Sequence, residues 1–359
     1  MSAIKRYQIE GEFRMRRGSI IAPTVAYETW GTLNESASNA ILLFTGLSPS
    51  AHAASSTEDP SSGWWEDMIG PGKPIDSNRY YVICVNSLGS CFGSTGPASI
   101  NPETDRHYRL DFPVLCLEDV ASAAAAVVEA LGIERLNAVI GASMGGMTAL
   151  AFCLLFPGRA EGLISISSAA RSLPFSIAIR SLQREIVRSD PAWQDGAYAF
   201  DAPPATGMRL ARKLGMISYR SAEEWTERFG RERTAGDYDG PFGIDFEVES
   251  YLQAHADKFV GTFDPNCYLY LSRAMDLFDA TDHGGSLRQG LSRVSLAWAM
   301  VIGVESDFLF PVEQQEELAI GLQEHVPDVE FRRMDSRQGH DSFLVDMDRF
   351  RPAIAARFS

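Results

Sequence analysis

The segment Gly141-Ala142-Ser143-Met144-Gly145 follows the apolar run 136–140 directly and precedes the helix-like stretch 147–152. A short apolar run bounded by glycine reads as a buried strand, and the Met/Leu/Ala/Phe-rich stretch after it as a helix. Only residues 141–146 lie between them. The chain must turn sharply at the serine, and small residues on either side are what so tight a turn tolerates. A strand, turn and helix joined this way aim the Ser143 hydroxyl out of the top of a sheet, the geometry of a nucleophile elbow. The five-residue pattern alone is common, and its position between a strand and a helix gives it meaning.

A serine hydroxyl is a poor nucleophile near neutral pH, so a base must take its proton and a third group must fix the tautomer of that base. In a sheet with such an elbow the expected chain order is Ser, then Asp or Glu, then His, each on a loop after a late strand. Toward the end of the chain stand His283, His325 and His340. His340 lies just past the strand-like run 329–334 with Gly339 beside it, which suits a loop. His325 falls in a polar helical pattern, 316–325, as a surface residue, and His283 precedes two glycines as a turn residue. Asp307 follows the buried-strand run 297–304 and is preferred as the acid over Glu305, because two or three positions past the strand end is on the loop. Its alternative role is to cap the helix starting near Val312. Of the two donors needed for a tetrahedral oxyanion, one is the backbone N–H of Met144. The other is expected where the strand ends and the loop 44–52 begins, at Phe44. His52 reads as a loop residue, since a base so far ahead of the serine breaks the chain order.

The wider pattern is α/β. Short apolar runs at 25–30, 40–45 and 80–85 read as strands, 119–131 as an alanine-rich helix, and 162–166 as the strand after the elbow. Alternation of this kind implies a mostly parallel sheet with both faces covered. From 171 to 293 the pattern turns helical and charged, with no convincing strand. The expected organisation is therefore a core of residues 1–170 and 294–359 with a helical lid, 171–293, inserted in it.

The chain has 359 residues, 45% of them apolar, enough for a sizeable core and one inserted module. Its net charge of −15 argues against nucleic acid or an anionic membrane as partner. It leaves small anionic ligands open, because a pocket needs only a few local arginines. Five scattered cysteines suit reduced thiols, and no CxxC or HxxxH spacing suggests a metal. Without an apolar leader or a membrane-length run, the expected location is the cytoplasm.

Several further segments carry a resemblance over nearly the whole chain. They include Ala26-Tyr27-Glu28-Thr29-Trp30-Gly31, Asn86-Ser87-Leu88-Gly89-Ser90-Cys91, Leu110-Asp111-Phe112-Pro113, Ser143-Met144-Gly145-Gly146-Met147 and Gly339-His340-Asp341. With them the chain resembles the homoserine O-acyltransferases of the α/β-hydrolase superfamily. The resemblance implies an α/β-hydrolase fold, a Ser143–Asp307–His340 triad and a ping-pong route in which Ser143 takes an acyl group from acyl-CoA and passes it to an amino-acid hydroxyl. It also implies that Arg212 holds the amino-acid carboxylate and Asp341 its ammonium, that acyl-CoA is a co-substrate with no resident cofactor or metal, and that two subunits pair through the lid. Where homoserine acetyltransferases carry a Thr-Gly-Asp-Ser-His-like loop, this chain has Gly46-Leu47-Ser48-Pro49, and it has Phe92 in place of a lysine. That loop and the segment 173–184 most resemble the serine O-succinyltransferase subgroup, which implies succinyl-CoA and L-serine as substrates and a place in cysteine or methionine biosynthesis. Homoserine succinyltransferases of this fold tend to have arginine where Leu309 stands. The succinyl carboxylate then needs another cation, and Arg180 is the first candidate, Arg184 the second. Homoserine acetyl or succinyl transfer is the alternative, and ester or thioester hydrolysis a more distant one.

Overall fold

The computed structural model describes residues 3–235 and 240–358. Eight strands form the main sheet: β1 (Lys5–Gln8), β2 (Thr24–Trp30), β3 (Ala40–Phe44), β4 (Tyr81–Val85), β5 (Leu136–Ala142), β6 (Ala160–Ile166), β7 (Trp298–Val304) and β8 (Asp328–Met334). Their spatial order is β1-β2-β4-β3-β5-β6-β7-β8. β2 pairs antiparallel with β1 and with β4, while the joins from β4 across to β8 are parallel. Only β2 therefore runs against the rest.

The central strands are apolar on both faces because both faces are covered. Ile41 and Leu43 of β3, with Val82 and Cys84 of β4 and Ala138 and Ile140 of β5, pack under the carboxyl-terminal helix. The alternate residues Leu42, Phe44, Ile83, Val85 and Val139 turn to the opposite side, against α1 (Leu117–Ala130) and α2 (Met144–Leu155). Period-two alternation thus divides one strand between two cores. Burying the larger of these aliphatic side chains stabilises the fold by about 1.5–3 kcal/mol each.

β1 had no counterpart among the expected strands. Its exposed, charged sequence carries no burial pattern, and its edge position explains why it needs none. The strand that precedes Asp307 begins at Trp298, one residue later than the run 297–304 suggests; Ala297 is a bend whose N–H donates to the Glu161 carbonyl at 2.8 Å, and the turn after α8 (Leu287–Leu291) is residues 292–293.

Between β6 and β7 the described chain is helical: α3 (Pro174–Ser189), α4 (Ala205–Tyr219), α5 (Ala222–Phe229), α6 (Glu247–Phe259), α7 (Pro265–Leu277) and α8. Residues 236–239 of this segment lie outside the described residues. α3 is inverted relative to an ordinary amphipathic helix. Its buried side is Ser176, Arg180, Gln183 and Val187, while Phe175 and Leu182 are exposed. A helix buries arginine and glutamine only where a polar interior receives them. The segment is tied to the sheet loops by Ser176, whose hydroxyl donates to the Leu309 carbonyl, and by Ser221, whose hydroxyl donates to the Arg337 carbonyl. These bonds tie the helices to the loops that follow β7 and β8.

Candidate active site

Ser143 occupies the turn between β5 and α2 with φ 56° and ψ −125°, a conformation an L-residue adopts only under strain. The flanking glycines are required by space. A Cβ on Gly141 would stand 2.0 Å from the Gly145 carbonyl oxygen, and one on Gly145 would stand 2.4 Å from the Phe44 carbonyl oxygen. Gly141 lets the turn close on itself, and Gly145 lets α2 lie against the end of β3. The Ser143 backbone N–H donates to the Ile166 carbonyl at 2.9 Å, which locks the turn to the neighbouring strand.

Asp307 and His340 come from the loops after β7 and β8. The Ser143 hydroxyl lies 2.7 Å from His340 Nε2, and His340 Nδ1 lies 2.8 Å from Asp307 Oδ2. A carboxylate only accepts, so Nδ1 carries the proton and Nε2 faces the Ser143 hydroxyl as an acceptor. The other carboxylate oxygen of Asp307 accepts the backbone N–H groups of Leu309, at 3.0 Å, and Phe310, at 2.9 Å. Asp307 thus caps its own loop; α9 (Val312–Gln323) begins after Pro311 with no side-chain cap. Gly339, at φ +69°, lets the loop reverse directly before His340, where a Cβ would meet Ser221 N at 2.7 Å. Ser306 joins the two loops, its hydroxyl donating to the Ser336 carbonyl at 2.5 Å and accepting from Gly339 N at 3.0 Å.

Burial of the His340 ring disfavours its charged form, but the Asp307 charge and hydrogen bond outweigh burial and Asp341 adds to them, so its pKa is raised. Burial likewise raises the Asp341 carboxyl, against the opposing pull of His340, Arg220 and Arg212.

A cavity of about 130 Å³ opens onto Ser143 and His340. Gly46, Leu47, Ser48 and Pro49 line it together with Arg180, Arg212 and Asp341. It is smaller than the few hundred Å³ of a drug-sized pocket, so it fits an amino acid or a short acyl chain better than a whole nucleotide cofactor. Arg212 lies 4.6 Å above the Phe259 ring, and its Nε is buried without a partner. Asp341 stands 3.5 Å from Arg220. Gln183, Tyr219, Tyr268 and Trp64 also line the cavity; Gln183 lies in the segment 173–184, but none of the four was expected as a site residue. Burial pushes the Tyr219 and Tyr268 phenols up, which keeps them neutral donors.

Two expected residues stand elsewhere. Phe44 is the last residue of β3, paired with Val85 and Gly141 in the sheet and packed 6.3 Å from Phe152, so it forms no part of the cavity wall. The strand ends one residue later than a Phe44 loop position requires. Arg184 lines a separate outer groove rather than this cavity, because it sits one helical turn beyond Arg180. Of the other histidines, His52 Nδ1 pairs with buried Glu28 at 2.9 Å. His283 is more than a turn residue, for its Nε2 lies 3.1 Å from Glu118 Oε1. His325 follows α9, half-buried.

The chain belongs to the α/β hydrolase fold family, whose sequence pattern matches residues 39–346. Within it, the chain is similar to serine O-succinyltransferases. It is 58% identical over 342 residues to that of Stenotrophomonas maltophilia strain K279a, covering 94% of this chain and 92% of the relative. It is 57% identical over 360 residues to that of Frateuria aurantia, covering 99% and 98%. Among solved structures, a homoserine O-acetyltransferase from Bacillus anthracis superposes with a TM-score of 0.91 at 29% identity, covering 99% of this chain and 98% of that one. Esterase E22 superposes with a TM-score of 0.90 at 30% identity, covering 99% of each chain.

Proposed function

We propose that this protein is an L-serine O-succinyltransferase that carries the succinyl group of succinyl-CoA on Ser143. His340 takes the Ser143 proton as the oxygen attacks the thioester carbonyl, and the tetrahedral oxyanion forms facing the Met144 N–H at the start of α2, where a helix leaves its N–H groups free. The second donor belongs to the Gly46–Leu47 backbone rather than to Phe44. Collapse breaks the carbon–sulfur bond, and His340 returns the proton to the leaving CoA thiolate. L-Serine then enters, His340 removes its hydroxyl proton, and attack on the acyl-enzyme gives O-succinyl-L-serine and free Ser143. Asp307 holds the imidazole in the productive tautomer throughout.

The observation that carries the reading is the pair of buried arginine nitrogens without partners, Arg212 Nε and Arg180 Nη1, on residues that line the same small cavity as Ser143. A burial site keeps unpaired cationic donors at a cost unless an anion arrives to meet them. Succinyl transfer to serine brings two carboxylates, one on each partner. Arg212 with Asp341 suits the zwitterion, since a guanidinium matches a carboxylate and the aspartate matches the ammonium. Arg180 suits the free end of the succinyl group. The relatives named serine O-succinyltransferase support the same reaction.

We read the helices of 171–293 as a lid that shields the acyl-enzyme from water. Exposed Phe175 and Leu182 on α3 and Leu210 and Ile217 on α4 support pairing of two copies through this lid. Acyl-CoA is a co-substrate, and the chemistry needs neither a metal nor a resident cofactor. No described helix is long and apolar enough to cross a membrane. Use of an acyl-CoA supports a cytoplasmic location, and an O-acylated serine is activated for displacement by a sulfur nucleophile, which supports a role in cysteine synthesis. The test pairs succinyl-CoA or acetyl-CoA with serine or homoserine and identifies products by mass spectrometry. O-Succinylserine is expected to form fastest. Thioester cleavage with water as the preferred acceptor, undiminished by any amino acid, would overturn the reading.

A further inference from the structure

Asp276 is buried on α7 between two arginines of α3. Arg180 Nε donates to Asp276 Oδ1 at 2.7 Å, and Arg184 Nη2 stands 2.7 Å from Asp276 Oδ2 as an ion pair without hydrogen-bond alignment. The Asp276, Arg180 and Arg184 side chains are 3%, 5% and 11% exposed, so water screens them little. Arg180 Nη2 donates to Ser172 Oγ at 2.6 Å, which leaves its Nη1 as the buried donor with no partner. Arg184 faces away from the cavity. Its Nη1 donates at 2.9 Å to Ser272 Oγ, and Ser272 itself forms part of the cavity wall.

We propose that Arg184 is a donor-specificity residue that never touches the acyl group. It holds one side of Asp276, and so leaves the cavity-facing charge of Arg180 uncancelled. The inference rests on the reading of this protein as a transferase using a carboxylate-bearing thioester. Two guanidiniums sharing one carboxylate sum to a single net positive charge, and of the two only Arg180, which keeps the unpartnered donor, lines the cavity. With Arg184 neutral, Asp276 and Arg180 form an isolated pair of zero net charge. Asp276 is then also free to swing both oxygens onto Arg180 as a two-point fork, the preferred guanidinium–carboxylate geometry. Either change removes the attraction for a succinyl carboxylate and leaves an uncharged acetyl group indifferent.

The experiment measures kcat/KM for succinyl-CoA and acetyl-CoA with wild type, Arg184→Met and Arg184→Lys, and inhibition by free succinate as a readout independent of turnover. For Arg184→Met, succinyl-CoA use is expected to fall on the order of tenfold, as the loss of one nearby charge in a poorly screened site implies. Acetyl-CoA use should stay within about twofold on the same argument. Succinate inhibition should weaken in parallel, and Arg184→Lys should restore most of both because it restores the charge. Equal losses with the two thioesters would mean a merely structural role and overturn the inference, as would an unchanged ratio with wild-type succinate inhibition. In both cases a wild-type preference for succinyl-CoA would leave the parent reading standing. A wild-type enzyme indifferent to the two donors would overturn both together.

Discussion

Replacing Asp307 by asparagine changes few atoms and reverses the logic of the site. Asp307 Oδ1 accepts two backbone N–H groups, from Leu309 and Phe310, in a fully buried position. An asparagine must keep its carbonyl oxygen there, because turning the amide round would set its NH₂ against two donors. The NH₂ then faces His340 Nδ1, which must become an acceptor, and the ring proton moves to Nε2. Nε2 stands 2.7 Å from the Ser143 oxygen and in that tautomer points a proton at it, so no base remains for the serine. The loss of the carboxylate also removes the charge that outweighs burial in raising the His340 pKa. A wrong-tautomer lesion of this kind lowers kcat by roughly 10⁴-fold, about 5.5 kcal/mol of barrier. The assay is steady-state CoA release from succinyl-CoA with saturating serine, beside intact-protein mass spectrometry for the acyl-enzyme and a thermal melt to verify folding. A loss below tenfold in a folded variant, or acyl-enzyme formed at the normal rate, would refute the role assigned to Asp307.

Arg212→Leu should raise the KM for serine on the order of a hundredfold, as loss of a charge-assisted carboxylate contact implies, with a smaller change in kcat; a KM within a factor of two would remove Arg212 from the acceptor site. Gly339→Ala forces a side chain into φ +69° and sets its Cβ 2.7 Å from Ser221 N and 2.8 Å from Tyr219 O, so a loss of about 2–3 kcal/mol in stability is expected with a fall in kcat, and an unchanged melting curve would count against the described loop. In pH profiles, kcat/KM should fall on the acid side with a midpoint above the ordinary histidine value of 6.5, because the base must be neutral and His340 is raised. The stability contributed by His340 has the opposite sign. A raised folded-state pKa stabilises fully below the unfolded value, and that contribution is lost as pH climbs through the folded one. Activity should therefore appear over the window in which this part of the stability fades, and an acid limb below 6.5 would contradict the described environment.

The parts of the site legible in the sequence are those dictated by neighbours along the chain. Ser143 stood out because its glycines must be glycines, one to close the turn and one to admit β3. Asp307 and His340 followed from their places just past buried strands. What escaped depends on distant partners. Nothing in α7 marks Asp276 as the counter-ion of two α3 arginines, and Tyr219 and Tyr268 reach the cavity only because α4 and α7 converge there. Arg180 and Arg184, four residues apart, share a helix face by spacing alone, yet one lines the inner cavity and the other the outer groove. The charged edge strand β1 was invisible because exposure leaves no hydrophobic period to read.

The same catalytic reach serves two outcomes, and the elbow cannot decide between them. A solved esterase and a solved homoserine acetyltransferase match this fold about equally well, with TM-scores of 0.90 and 0.91. An acyl-serine accepts whichever hydroxyl His340 can deprotonate within reach, so transfer exceeds hydrolysis only when the acceptor is held in place and water is not. Holding a zwitterion takes a cation and an anion at fixed separation, and on the proposed reading those are groups outside the elbow: Arg212 from α4 and Asp341 beside His340. Asp341 is doubly suited, because the residue that would orient the serine ammonium follows directly on the residue that would take the serine proton. A shift of the β8 loop moves both together, keeping acceptor and base in register. On the proposed reading, transfer over hydrolysis is therefore decided by the helices between β6 and β7 and by one loop aspartate, not by the strained serine turn.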